Sequence, residues 1–246
     1  MDKERFKEAC EAVAAQGKKR VGIGTLGEKS THAVLKRYYE PYPACHEVPV
    51  GSFVADIVGE NGIIEIQSRQ FLKLRKKLEQ FLEFSRVTVV YPISVVKHIV
   101  WIDPDTGEVA ERRRSPKKGQ IYDILPELYQ IKYTLDNPRL SVRICMLETE
   151  ELRLLDGWSK DKKKRATKQD RIPTALLDEI ALDSPYDYRL FLPEGLAEEF
   201  TSADFAKAAG IPRDVAQAGL NLLSFLGLVV RTGEGPRKTI IYKTNI

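Results

Sequence analysis

Three polar residues interrupt an otherwise apolar stretch: Asp56 within Val54-Ala-Asp-Ile-Val58, and Glu65 and Gln67 within Ile63-Ile-Glu-Ile-Gln67. Both runs have the β-branched, alternating character of strands. Gly59-Glu60-Asn61-Gly62 between them carries a hairpin signal. Successive side chains of a strand point to opposite faces, so Glu65 and Gln67 share one. If Gly59 to Gly62 form the loop, Asp56 falls opposite Glu65. If only Asn61-Gly62 turn, it falls opposite Gln67. The parity is the same either way, and all three residues converge on one face. Two carboxylates so close repel, and each raises the other's pKa unless something pairs them. A hard cation resolves this, because Mg²⁺ prefers oxygen ligands. The competing reading is a solvent-facing hairpin whose acids are incidental.

The elements that must hold these residues can be read around them. Residues 3 to 16 have helical spacing in Phe6, Cys10, Val13 and Ala14, and Gly17 ends it. A second helix is expected from Glu28 to Tyr39, with His32, Leu35 and Tyr39 on one stripe, stopping before Pro41. His32 lies four residues after Glu28 and so on the same face, where it either aids a metal or phosphate contact or simply packs. Strands are expected at 45–50, 53–58 and 63–67. A basic amphipathic helix follows over 71–84, with Leu74, Leu78, Phe81 and Leu82 inward and Lys73, Arg75, Lys76 and Lys77 outward. Val87 to Tyr91 reads as a buried central strand, His98 to Asp103 as another, and Val142 to Leu147 as an edge strand. Helix, three-stranded meander, crossover helix and strand imply an α/β fold with a mixed sheet and helices on its faces.

The pattern changes after residue 172. Leu176, Leu177 and Ile180 mark a helix, Thr201 or Ser202 caps a second, and Pro212 to Phe225 forms a third. Strands follow at 228–231 and 239–243, separated by Gly233-Glu234-Gly235-Pro236. Arg213, Asp214, Gln217 and Asn221 are the expected exposed residues of the long helix. This segment, from Pro173 onward, is expected to fold on its own apolar core.

The chain has 246 residues, 43% hydrophobic and 30% charged, which suits a soluble protein of one large domain plus a small one. No apolar run is long enough to span a bilayer. Met1-Asp-Lys-Glu-Arg-Phe6 opens without a signal region, so no membrane partner and a cytoplasmic location are expected. Cys10, Cys45 and Cys145 have no metal-binding spacing and read as buried thiols. The formal net charge of +4 is unevenly placed. Residues 111–118 hold five basic residues and one acid, and residues 157–171 hold seven and two, which leaves the rest of the chain negative. Both stretches are expected as exposed loops, either solvated linkers or phosphate contacts.

Residues 26 to 102 resemble the PD-(D/E)xK nuclease superfamily, in which an acid on the second strand of such a meander precedes acid-x-Lys on the third. Here the motif is Asp56, then Glu65-Ile-Gln67, and Glu28 matches an acid that many members carry on the preceding helix. The resemblance implies a restriction-endonuclease-like α/β/α core and a deoxyribonuclease that hydrolyses phosphodiester bonds with Mg²⁺ or Mn²⁺. Glu28, Asp56 and Glu65 would hold the metal, Gln67 would place the water, and Arg69 would steady the phosphate. Gln67 stands where the family has lysine, and Arg69, Lys36 and Lys73 are the expected cationic substitutes. Residues 200 to 243 resemble a winged helix-turn-helix, in which Arg213, Gln217 and Asn221 would read base edges. Arg231, Arg237 and Lys238, with Lys162, Lys163, Lys164 and Arg165, would meet phosphates. The implied organisation is a nuclease-like domain over 1–156, a basic linker over 157–172 and a winged-helix domain over 173–246. DNA is the expected partner, with a homodimer admitted. The alternatives are a catalytically inactive DNA-binding or assembly protein of the same fold, and a winged helix used for protein contact.

Overall fold

Helical spacing at the N-terminus produces α1 (Lys3–Lys19) and α2 (Ser30–Tyr39) in the computed structural model, which describes residues 1–19, 30–156 and 166–245. Phe6 and Ala9 of α1 and Val34, Leu35 and Tyr38 of α2 are buried, and the Phe6 and Tyr38 rings meet edge-on at 5.4 Å. The three expected strands follow as β1 (His46–Val50), β2 (Phe53–Gly59) and β3 (Gly62–Ile66). β1 and β2 are antiparallel, with Val48 opposite Ala55. Glu60 and Asn61 form the turn before β3. Gly62 takes φ 113°, and a Cβ there would lie 2.4 Å from the Arg86 carbonyl oxygen, so only glycine fits.

β3 pairs in parallel with β4 (Val87–Ile102), Ile63 lying opposite Val87 and Ile66 opposite Val90. Parallel neighbours need a crossover rather than a tight turn. Here it is a 3₁₀ turn at Phe71–Leu74 and helix α3 (Arg75–Phe81), which bury Phe71, Leu74, Leu78 and Phe81. The seven-stranded sheet has the order β1-β2-β3-β4-β6-β7, with β5 (Val109–Arg114) also on β4, and so is mixed. β6 is Leu140–Leu154 and β7 is Thr167–Leu182.

Several expectations are corrected by these strands. The runs at 87–91 and 98–103 are one continuous strand across Pro92. Proline lacks the N–H of a ladder bond, but Pro92 faces the same edge as Val90, and β3 has ended there, at Ile66. The 142–147 run is no edge: β6 lies between β4 and β7. The residues read as a helix around Leu176, Leu177 and Ile180 form β7 instead. Three apolar residues in so short a window fit either period, and pairing with β6 decides the outcome. The basic run at 111–118 is a paired strand through Arg114 rather than a loop, with every β5 residue exposed.

The chain folds as two compact units. The first comprises Met1–Gly59, Pro92–Gln120 and Ile144–Ile180. There the Tyr38 and Tyr39 hydroxyls donate to Glu179 of β7 at 3.0 and 2.5 Å, which ties α2 to the sheet. The second comprises Glu60–Tyr91, Ile121–Arg143 and Ala181–Ile246. It contains α4 (Leu125–Gln130), β8 (Glu199–Thr201), α5 (Ser202–Ala209), α6 (Arg213–Phe225), β9 (Val229–Gly235) and β10 (Thr239–Thr244). Its small sheet has the order β8-β10-β9. Thr201 caps α5: its hydroxyl accepts from the Asp204 N–H, and the Asp204 carboxylate accepts from the Thr201 N–H. α6 lies close on α4, where a Cβ on Gly219 would come within 2.8 Å of Leu125. The segment from Pro173 onward therefore does not rest on its own core alone. No helix among the described residues is long and apolar enough to cross a membrane.

Candidate functional site

Strand alternation places Asp56 on the face of β2 away from the buried Ala55 and Ile57. In the first unit Asp56 meets His32 of α2, with Nε2 and Oδ2 3.2 Å apart. The histidine thus packs against an acid rather than against apolar neighbours alone. Lys36, one turn further along α2 and 4% exposed, pairs with Glu47 of β1 at 3.0 Å.

In the second unit Glu65 is 2% exposed on β3. Burying an ionised carboxylate is costly unless it is paired and hydrogen-bonded, and Lys77 of α3 places its ammonium 2.7 Å from Oε2. Lys77 was expected to face outward. The signal for its true position was present, because Leu74, Lys77 and Phe81 are spaced by three and four, the spacing of one helix face. Gln67 follows the end of β3, and its amide nitrogen donates to the Arg69 carbonyl. The Arg69 and Lys73 side chains are exposed.

Carboxylate oxygens are the donors a hard divalent cation takes, so Asp56 and Glu65 fit Mg²⁺ in kind. Glu28, the third expected ligand, lies outside the described residues, as do Lys162, Lys163, Lys164 and Arg165. Among the described residues, no three or more His, Cys, Asp or Glu side chains are grouped as metal ligands.

On α6, Arg213, Asp214 and Gln217 are exposed as expected. Asn221 is half-buried instead, and its side-chain oxygen accepts from Lys132 at 2.6 Å. Arg231 on β9 is exposed, and so is Lys238, at φ 59° in the turn Pro236–Lys238. The Arg237 side chain lies outside the description.

These features define a mixed α/β protein in which Asp56 of β2, in the first unit, meets His32, and Glu65 of β3, in the second, meets Lys77. Residues 29–183 match the family model described as Domain of unknown function (DUF8091), and the chain belongs to that family. The match ends one residue after β7, so it takes in every strand of the larger sheet and leaves out β8 to β10. An uncharacterized protein of Treponema pallidum (strain Nichols) is 33% identical over 146 residues, 58% of each chain. The chain therefore spans little more than half the length of that relative. No solved structure matches.

Proposed function

We propose that the chain is a DNA-acting protein of the PD-(D/E)xK type that hydrolyses phosphodiester bonds with a divalent cation, and that a C-terminal winged helix engages the duplex. Glu65 carries this reading. A carboxylate 2% exposed is held beside a lysine, 2.7 Å away, in a strand, crossover helix and parallel strand of the kind the resemblance requires. The resemblance assigns Asp56, Glu65 and Glu28 as the carboxylates that would hold the ion. A bound Mg²⁺ would lower the pKa of a water and neutralise charge at phosphorus. Lys77 takes the role of the lysine that Gln67 replaces, because it supplies a fixed positive charge beside the second acid. His32 orients the Asp56 carboxylate. The amide of Gln67 is a hydrogen-bonding group for a water.

The order β8-α5-α6-β9-β10 supports the winged-helix reading, with α6 as the helix that presents Arg213 and Gln217, residue types that read base edges. Arg231 and Lys238 suit phosphate. A non-catalytic DNA-binding role is the second reading. It is favoured by the Lys77 ammonium beside Glu65, which fills in part the electrostatic role of a metal there. Calorimetric titration with Mn²⁺ separates the two. The hydrolytic reading expects binding that is lost in Asp56→Asn and in Glu65→Gln, with thermal unfolding still cooperative. Equal binding by both variants and the unaltered chain would sink it.

A further inference from the structure

Three partly exposed aromatic rings surround one lysine in the second unit. Tyr129 lies in α4, Lys132 and Tyr133 in the 3₁₀ turn Lys132–Thr134 that follows it, and Phe225 at the end of α6. Tyr133 is 66% exposed, Phe225 38% and Tyr129 36%. The Lys132 ammonium stands 4.8 Å over the Tyr129 ring and 5.0 Å over the Tyr133 ring. It donates to the Asn221 side-chain oxygen at 2.6 Å. The Tyr133 and Phe225 rings meet edge-on at 5.3 Å. A single apolar side chain in water needs no explanation, but a contiguous group of rings does.

The charge at the centre selects the partner. Ring faces and an amide oxygen attract the ammonium but cannot cancel its charge. Among the described residues no carboxylate pairs with it. An apolar protein surface laid over the patch would bury that charge uncompensated, which is unfavourable. An anion with flat faces meets both demands. A single nucleic-acid strand offers a phosphate for the ammonium and an unpaired base for a ring. In a duplex the base faces are closed, each stacked on its neighbours.

The patch also continues the exposed side of α6. Arg213, Gln217, Asn221 and Phe225 follow one another at intervals of four, so each lies beside the one before it in a row that winds part of the way round the helix. From Arg213 to Phe225 is about 18 Å of helix, roughly five nucleotide steps at ~3.4 Å each. One DNA can therefore meet Arg213 and Gln217 as duplex and the rings as unpaired strand. Asn221, expected to read a base edge, instead holds Lys132 between the rings and is a positioning residue.

We propose that Tyr129, Lys132, Tyr133 and Phe225 form a stacking platform for unpaired bases of single-stranded DNA, so that the preferred substrate is a duplex adjoining a single-stranded stretch. This rests on the reading of the chain as DNA-acting and deepens it by naming the form of DNA.

The test is fluorescence anisotropy with the full chain in EDTA, which keeps the readout independent of metal. The probes are a fluorescein-labelled blunt duplex and the same duplex with an oligothymidine overhang. The overhang should tighten binding on the order of tenfold, the contribution of about one stacked base. Tyr133→Ala should remove most of that gain, and Tyr133→Phe, which keeps the ring, should retain it. Tyr42→Ala, a 70% exposed tyrosine of the first unit, should retain it as well. Lys132→Gln should flatten the plot of log K against log salt for the overhang probe by about 0.7, one phosphate on a single strand. No binding of either probe by the unaltered chain would overturn both this platform and the DNA reading. Binding of the blunt duplex with no gain from the overhang, or a gain that Tyr133→Ala leaves intact, would overturn the platform alone. Self-association lost in Tyr133→Ala while the gain persists would give the patch to a second copy of the chain. A larger gain from an oligouridine overhang than from oligothymidine would overturn the choice of polymer. Should Tyr133→Ala fail to fold, photocrosslinking of iododeoxyuridine in the overhang to the unaltered chain must map to Tyr129, Tyr133 or Phe225, and adducts only elsewhere would overturn the platform.

Discussion

Glu65 and Glu151 are both buried carboxylates held by cations, the first by Lys77 and the second by Arg153, Lys168 and Arg171. Removing one member of a buried pair leaves an uncompensated charge, at a cost of about 3–5 kcal/mol. Lys77 is 21% exposed, so Lys77→Met should destabilise by the lower end, about 3 kcal/mol, in urea unfolding. Glu65→Gln/Lys77→Met should recover part of that loss. A single variant as stable as the unaltered chain would show that the pair holds nothing. Burial alone would raise the Glu151 pKa, but hydrogen bonds from Lys168 and Arg153 outweigh it and hold the carboxyl at about 2, below the usual 4.5. Because the folded value is depressed, the stabilisation is fully present above about pH 4.5 and is lost as pH falls towards 2. The gap corresponds to at most about 3 kcal/mol. Glu151→Gln should flatten stability against pH across that window, and an acid limb identical to that of the unaltered chain would contradict the assignment. The placement of Asp56 and Glu65 within β2 and β3 was legible from the alternating pattern. The Glu151 cluster was not, because its members come from two strands, β6 and β7, and a basic residue read singly looks like solvated surface.

At the scale of elements, the helix, three-strand meander, crossover and fourth strand follow from local period and turn residues, and all are present. The errors share one cause. β7, and the stretch of β4 that joins its two expected runs across Pro92, are strand because neighbouring backbones offer partners, and short windows of sequence do not record that. The basic run in β5 was read correctly as exposed and wrongly as irregular, since pairing with β4 satisfies its backbone while its side chains stay in water. Capping, by contrast, is local: Thr201 or Ser202 was anticipated at the start of α5, and Thr201 takes the position. Thr201→Ala removes the hydroxyl that accepts from the Asp204 N–H and donates to the Asp204 carboxylate, while the Thr201 N–H keeps its bond to that carboxylate, and should cost about 1 kcal/mol. A chain of this size would show that as a fall in Tm of roughly 2–4 °C. An unchanged Tm would mean that α5 is held by packing alone, through Phe205 against Phe200.

Across the whole molecule, the C-terminal elements were read as an appended module, and the family match does stop at residue 183. Within the second unit, however, α6 leans on α4: Gly219 sits against Leu125, Asn221 accepts from Lys132, and Phe225 meets Tyr133 edge-on at 5.3 Å. A fragment of residues 184–246 lacks α4 and should show no cooperative melt by circular dichroism. A sharp, reversible transition in that fragment would contradict the reading. The central claim is that Asp56 and Glu65 serve hydrolysis of DNA, and the most direct measurement is conversion of supercoiled plasmid to nicked and linear forms by the full chain. The account predicts cleavage with Mg²⁺ or Mn²⁺, none in EDTA, and loss of cleavage in Asp56→Asn while duplex binding in EDTA persists. Cleavage at an equal rate in Asp56→Asn, or none by the unaltered chain on single-stranded, duplex and branched DNA with either ion, would contradict it.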